Sequence, residues 1–358
     1  MATHFHPLRI SDVRRETDEC VSIAFDVPPE LADVFQFHAG QNLTLRINHN
    51  DAELRRSYSI CSSPYDRELR VAIKKVPNGQ FSAFANELLK VGDVVEVMAP
   101  SGKFYTPLQE QNKKSYLAFA AGSGITPILS IIRSTLLSEP LSDFTLVYGN
   151  RDRRSIIFRE ALEALKNKFM QRFQVIHILS REQLDSEINQ GRINEEKIHS
   201  LSSIINYKLI DEVFVCGPEQ MINAVRNTLP QLGIPSSNIH FELFHPPGQQ
   251  QQVENSFTQQ EDADKRSKVS IKLDGVYVNF DLRYNDASIL DAALATGADL
   301  PYACKGGVCA TCKAKLIEGE VQMDTNYALE QDEINAGFIL TCQSHPRSEN
   351  IVVDFDLR

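Results

Sequence analysis

The sequence predicts three consecutive domains: a small antiparallel β-barrel, an α/β domain on a parallel sheet, and a compact third domain of strands and helix. Three changes of pattern predict them. Residues 1–107 alternate short strand-like runs with turn signals, and from residue 115 strand-like runs alternate with helical ones. After a polar stretch at 245–267, a hairpin pattern leads into a loop that holds three cysteines.

Bulk properties agree with that division. A chain of 358 residues is long enough for two or three cores, and 42% hydrophobic with 23% charged residues is the balance of an ordinary soluble protein. The opening "MATHFHPLRI" has no basic-then-apolar leader pattern. The most apolar stretch, "YLAFAAGSGITPILSII", is interrupted by Gly122, Ser123, Gly124 and Pro127, so it reads as buried strand, turn and helix and not as a membrane span. Seven cysteines with a local cluster among them argue against a disulfide framework and for the reducing cytoplasm. The net charge of −10 falls unevenly, with 8 basic against 14 acidic residues in 268–358. This excludes a nucleic-acid footprint; an acidic face fits either solubility or a basic partner.

In the first domain, "ECVSIAFDV", "GQNLTLRIN", "RRSYSI", "ELRVAIKKV" and "DVVEVMAP" read as barrel strands. One helix interrupts them, "GQFSAFANELLK", with Phe81, Phe84, Leu88 and Leu89 on a shared face. In the second, "SYLAFAA", "DFTLVYG", "FQVIHILS", "DEVFVCG" and "IHFELF" alternate with helical runs such as "PILSIIRSTLL" and "SIIFREALEALKNKF". That alternation implies a parallel sheet with helices on both faces. Residues 245–267 are rich in Gln, Pro and charge, and predict a flexible linker reaching roughly 25 Å on average. Beyond it, "KVSIKLDGVYVNFDL" has a hairpin's alternation and Gly-containing turn, and "SILDAALATGADL" predicts a helix from Ser288 to Gly297.

The loop "YACKGGVCATCKAKL" raises the first chemical question. With Cys342, its cysteines form C-x4-C-x2-C…C. Four thiolates suit a zinc ion or an iron–sulfur cluster, and this spacing is that of plant-type [2Fe–2S] centres. Gly306 and Gly307 lack a Cβ, so the backbone can wrap a wide group and point amides at it.

Other motifs stand at strand ends. In "LRRSYSICSSP", Arg56 and Tyr58 face one way and Ser59 the other, a set able to clamp a phosphate, cover a flat ring and hydrogen-bond its edge. The same pattern also fits an ordinary surface strand. "NGQFS" opens the barrel's helix, where Gly79 and Ser82 offer a seat for a diphosphate. "AAGSGITPI" closes one strand and opens a helix, with Gly122 and Gly124 allowing a tight turn and close phosphate approach. "VFVCGPEQMI" ends a later strand at Cys216, Gly217 and Pro218; the thiol reads equally as a small buried hydrophobe.

Taken in order, RxYS, GxxS, GxGxTP and CGPxxM resemble the ferredoxin–NADP⁺ reductase superfamily. The added cysteine domain resembles reductase components of bacterial oxygenases, and "GQNLTL", "YGNR", "DLPYACKGGVCATCK" and "VVDFD" resemble the phenylacetyl-CoA epoxidase reductases among them. This resemblance implies an FAD-binding barrel at 1–108, an NAD(P)-binding domain at 112–244 and a β-grasp ferredoxin domain at 268–358. It implies that Arg56 binds the flavin diphosphate with Gly79 and Ser82, that Tyr58 stacks on the ring, and that Ser59 and Glu242 lie near its reactive edge. Gly122, Gly124, Thr126, Pro127, Gly217 and Pro218 would line the nicotinamide site, with Cys216 beside the nicotinamide. Cys304, Cys309, Cys312 and Cys342 would ligate a [2Fe–2S] cluster, the first two on one iron. Phe244, where plant-type reductases end in an aromatic, is followed here by further chain.

The implied activity is an NADPH-dependent oxidoreductase that passes electrons through FAD and the cluster to the oxygenase component of a multicomponent monooxygenase. NADPH is expected over NADH because "HILSREQ" places Ser180 and Arg181 where the superfamily binds the 2′-phosphate, with Arg192 a candidate neighbour. "VYGNR" ends its strand with Gly149, Asn150 and Arg151 and no ribose-binding carboxylate. Reductases of steroid or aromatic hydroxylases and of hybrid-cluster proteins share these motifs. A non-enzymatic protein with a zinc-stapled tail is the alternative of a different class.

Overall fold

The computed structural model describes residues 4–49, 52–184, 186–244 and 265–357. They form two compact units, the first comprising residues 4–54 and 58–244 with the first two sheets except for residues 55–57, and the second comprising the third sheet together with residues 55–57.

The first sheet comprises β1 (Phe5–Thr17), β2 (Cys20–Asp26), β3 (Asn42–His49), β4 (Ala52–Ser59), β5 (Leu69–Lys74) and β6 (Val94–Met98), in the order β4-β3-β6-β1-β2-β5. An antiparallel bridge from Ile60, just past β4, to Val71 on β5 joins the two outer strands, so the sheet closes into a barrel. Leu8, Ile10, Ile23, Leu43, Leu45, Val71 and Val97 fill its interior. The longest strand, β1, lies in a stretch the sequence pattern leaves without a strand. Pro7 and a run of Arg, Asp and Glu mask it, and among its residues only Leu8 and Ile10 are buried. Helix α1 (Gln80–Glu87) buries Phe81, Ser82, Ala85 and Asn86. Leu88, expected on that face, instead caps the helix and is exposed.

The second sheet is formed by β7 (Ser115–Ala121), β8 (Asp143–Asn150), β9 (Phe173–Leu179), β10 (Glu212–Gly217) and β11 (Ile239–Leu243). All pairs are parallel, in the order β11-β10-β7-β8-β9. Helices α2 (Ile125–Ser138), α3 (Arg159–Lys168), α4 (Glu195–Leu201) and α5 (Glu219–Thr228) connect the strands or lie between them. The expected helix from Ser155 starts only at Arg159: Phe158 has φ 61°, which breaks the preceding turn. Helix α2 packs on the barrel, with Ser130 Oγ donating to the Ser62 carbonyl at 2.5 Å and Arg133 paired with Asp66 at 2.8 Å. Barrel and α/β sheet therefore share one continuous core that includes Cys20, Cys61, Ile128 and Tyr148.

In the second unit, β12 (Arg266–Leu273), β13 (Val276–Arg283), β14 (Lys313–Glu318), β16 (Phe338–Leu340) and β18 (Asn350–Asp354) form a mixed sheet, β13-β12-β18-β14-β16. Asp274 and Gly275, both at positive φ, make the tight β12–β13 turn. Helix α6 (Ile289–Ala295) is capped by Ser288 and buries Ile289, Leu290 and Ala293 in the core with Ile271, Leu340 and Val353. A two-stranded ribbon, β15 (Val321–Met323) with β17 (Ser344–Pro346), and short α7 (Gln331–Asn335) complete the unit. Of the expected linker 245–267, residues 245–264 lie outside the described residues, and β12 already starts at Arg266.

Candidate functional site

Strand order reverses direction between β7 and β10, the position where open parallel sheets form a ligand crevice at their carboxyl edge. The two glycine motifs meet there. A Cβ on Gly124 would stand 2.0 Å from the Cys216 carbonyl oxygen, and one on Gly217 would stand 3.1 Å from the Ala121 Cβ. These glycines let the two turns pack together. Gly122 differs: its φ is +54°, and among the described residues the only atom near an added Cβ is Lys74 Nζ, 3.5 Å away. The buried Tyr148 hydroxyl donates to the Gly122 carbonyl at 3.0 Å and fixes the turn. Thr126 is buried and donates to the Ser123 carbonyl at 3.0 Å, and Pro127 is buried in the first turn of α2. Pro218 caps α5.

The barrel delivers its own motif to the same edge. Ser59, at the end of β4, donates Oγ to Glu242 Oε2 at 3.0 Å. Glu242 on β11 is in register with Cys216 on β10. Burial pushes the Cys216 thiol far above its ordinary value, and the nearby Glu242 carboxylate adds to this. The thiol therefore stays protonated. Phe244 packs partly buried against the adjoining core. Tyr58 is half-buried with its ring 5.4 Å from that of Phe81. Arg56 is half-buried on β4, donating to the Arg55 carbonyl at 2.6 Å. Ser82 Oγ donates to the Gly79 carbonyl at 3.1 Å and accepts from the Val76 amide at 3.2 Å, so the serine builds the turn before α1. A part-exposed aromatic, a hydroxyl backed by a carboxylate and a glycine-led helix start suit a flat ring carrying a diphosphate.

At the far edge, Ser180 and Arg181 are exposed beyond β9, with their amides bound to the carbonyls of Asn150 and Arg151 at 3.0 and 2.8 Å. The Gly191 amide binds the Leu179 carbonyl at 2.9 Å, which brings the exposed Arg192 alongside the end of β9. Two charged residues absent from the sequence-based set also lie at the crevice, Lys74 and Glu19. Lys74 is the last residue of β5, directly before "KVPNGQFS"; its position beside a strand-end glycine motif depends on a fold that sequence spacing does not contain.

In the second unit, the cysteine loop brings four thiols together. Cys309 Sγ lies 3.1 Å from Cys304 Sγ, and Cys312 is hydrogen-bonded to Cys342. The Cys304 thiol is lowered to about 7, first by the hydrogen bond from Cys309, with the Gly306 amide helping at 3.3 Å. Cys342 is lowered first by Cys312, then by the Gly307 amide. Gly307 has φ +71° and an added Cβ would meet the Thr325 carbonyl oxygen at 2.7 Å, so no other residue fits. Two thiol pairs, amide donors aimed at sulfur and the burial of Cys309, Cys312 and Cys342 fit a four-thiolate cluster.

Three family models match the chain. The oxidoreductase FAD-binding domain family model matches residues 7–115, the oxidoreductase NAD-binding domain model 119–227, and the 2Fe-2S iron-sulfur cluster binding domain model 271–347. The last match decides between cluster and zinc. The chain is 48% identical to one of the subunits of 1,2-phenylacetyl-CoA epoxidase from Escherichia coli, covering 99% of both chains. It is 35% identical to the ferredoxin reductase component of 3-ketosteroid-9-alpha-monooxygenase from Rhodococcus rhodochrous, over 97% of this chain and 96% of that one. The solved structure of phthalate dioxygenase reductase, described as modular for electron transfer from pyridine nucleotides to [2Fe-2S], is similar with a TM-score of 0.57, 25% identity and 98% coverage of both chains.

Proposed function

The chain belongs to the family of FAD- and 2Fe-2S-containing oxygenase reductases in which the matched component of 1,2-phenylacetyl-CoA epoxidase stands, and from that premise we propose that it carries electrons from NADPH, by way of FAD and a [2Fe–2S] cluster, to a ring-epoxidising phenylacetyl-CoA monooxygenase. When bound, nucleotide, flavin and cluster supply respectively a hydride, a store that takes two electrons and releases them singly, and a one-electron carrier. The chain's residues supply position and shielding. Arg56 and Gly79 hold the flavin diphosphate, on the turn that Ser82 shapes, and Tyr58 covers the ring. Ser59, oriented by Glu242, presents its hydroxyl to the ring edge where hydride arrives. Cys216, neutral and buried, packs beside the nicotinamide in the crevice formed by Gly122, Gly124, Thr126, Pro127, Gly217 and Pro218. Ser180 and Arg181 receive the 2′-phosphate. Cys304 and Cys309 hold one iron, and Cys312 and Cys342 the other.

The Ser59–Glu242 hydrogen bond carries this reading, because it joins the barrel's flavin motif to the carboxyl edge of the nucleotide sheet at 3.0 Å. The reaction belongs in the cytoplasm, where unmodified thiolates persist, and the oxygenase complex is transient, as one-electron delivery to a turning-over partner requires. The greater identity to the epoxidase component, 48% against 35% for the steroid reductase, favours the phenylacetyl-CoA acceptor. The test is reconstitution with purified oxygenase components and NADPH. Epoxidation of phenylacetyl-CoA should depend on this chain and exceed turnover of a ketosteroid oxygenase paired with it. Equal or better support of the steroid enzyme would contradict the assignment.

A further inference from the structure

The barrel and the nucleotide sheet meet along a seam of buried hydroxyls, between the loop that follows β4 and one face of α2. Ser62 and Ser63 on the loop and Ser130 and Ser134 on the helix are all buried. Ser130 Oγ donates to the Ser62 carbonyl at 2.5 Å, and Ser134 Oγ donates to the Ser130 carbonyl at 2.7 Å. With its hydrogen so used, Ser134 accepts from Ser63 Oγ, 2.8 Å away. Ser63 Oγ in turn accepts from the Tyr65 amide at 3.3 Å, and Ser62 Oγ from the Arg70 amide on β5 at 3.0 Å. At the rim, Asp66 accepts from the Ser63 amide at 2.7 Å and pairs with Arg133 at 2.8 Å.

Burying a hydroxyl costs stability unless it finds a partner, and serine is an indifferent residue inside a helix. Apolar contact would hold the two surfaces together, but it is non-directional. Hydrogen bonds are directional, and a buried set in which each Oγ has a partner permits one register. The two ends of the seam show what that register serves. Three residues before Ser62 stands Ser59, the hydroxyl bonded to Glu242. One helical turn before Ser130 stand Thr126 and Pro127, in the first turn of α2 beyond Gly122 and Gly124. The hydroxyl on the flavin side and the turn on the nucleotide side are therefore tied by a short chain of covalent and hydrogen bonds. We propose that Ser63, Ser130 and Ser134 are positioning residues for hydride transfer, and that their seam fixes the separation between the ring edge beside Ser59 and the nicotinamide in the crevice. This rests on the reading of the crevice as the place where nicotinamide meets flavin. A misplacement of about 1 Å at a reacting centre costs on the order of 10²-fold in rate, so a small shift of α2 is felt in the rate before it is felt in affinity.

The experiment is anaerobic stopped-flow reduction of the flavin in the full-length, FAD- and cluster-loaded protein, by NADPH and by NADPH deuterated at the transferred position. The dependence of rate on nucleotide concentration separates the limiting rate from Kd. Ser63→Ala and Ser134→Ala should each lower the limiting rate by about 5- to 50-fold, with Kd within about 2-fold of wild type. The isotope effect on that rate should rise in both, because a stretched donor–acceptor distance favours the lighter isotope. The double variant should fall within about 2-fold of the slower single one, since either change breaks the same bond. Arg133→Met, at the part-exposed rim, should lower the limiting rate by about 2- to 5-fold, and it decides the matter if the buried variants take up no FAD. A seam that serves stability alone would lower the melting temperature and flavin content while the loaded variants kept the wild-type limiting rate and isotope effect. That result overturns the proposal, as does a loss confined to Kd. If NADPH failed to bleach the wild-type flavin, the functional reading itself would fall; wild-type bleaching with unaltered limiting rates in the variants removes only the seam.

Discussion

Ser59, on the last position of a barrel strand, and Glu242, on the edge strand of the parallel sheet, are 183 residues apart in sequence and joined by a 3.0 Å hydrogen bond. Each constrains the other. The carboxylate accepts the hydrogen bond from the serine and so orients its hydroxyl. Ser59→Ala should slow hydride-driven flavin bleaching by on the order of 10²-fold while leaving flavin content unchanged, the scale expected when one oriented polar group is removed from a reacting edge. Rapid-mixing absorbance in the flavin band measures it. A rate within a factor of about two of wild type would remove Ser59 from the reacting edge.

Gly124 and Gly122 lie two residues apart and should respond differently to the same substitution. At Gly124 an alanine Cβ overlaps the Cys216 carbonyl oxygen at 2.0 Å, so the two turns must separate. Gly124→Ala should destabilise the first unit by about 1–3 kcal/mol and weaken nucleotide binding. At Gly122 the space is open and the cost is that of the left-handed backbone alone, about 1 kcal/mol. Thermal unfolding of the two variants, followed by circular dichroism, compares them directly, with the lower Tm expected for Gly124→Ala.

Arg181 and Ser180 present exposed side chains beyond β9, while β8 ends at Asn150 and is followed by Arg151, with no carboxylate at either position. Arg181→Ala should cut kcat/KM for NADPH by roughly 10- to 150-fold and barely change that for NADH. Equal losses with both nucleotides would move Arg181 to the shared part of the dinucleotide.

The α/β half was the most legible part of the fold. Its central strands β7 and β10 are nearly continuous buried runs, and each of the five strands appears in the sequence within a residue of its place in the structure, as with "SYLAFAA" for β7. β1 was illegible because its outward positions are charged and Pro7 interrupts it, while its pairing with β2 and β6 is long-range. The cysteine loop was legible because three of its four thiols are local in sequence. Ser59 and Glu242 could be paired only through resemblance to a family. Lys74 and Glu19 had no sequence signal, since separate chain segments bring them to the crevice.

The central claim is the serial route, nucleotide to flavin to cluster, and Cys309→Ser tests it most directly. Cys309 is buried 3.1 Å from Cys304, so its loss should abolish the cluster's visible absorption and electron paramagnetic resonance signal. The flavin lies upstream on this route. Anaerobic mixing of the variant with NADPH should therefore bleach the flavin at the wild-type rate, with electrons failing to reach the oxygenase partner. Loss of flavin bleaching in a folded, FAD-loaded Cys309→Ser protein, or continued delivery to the partner without the cluster, would contradict it.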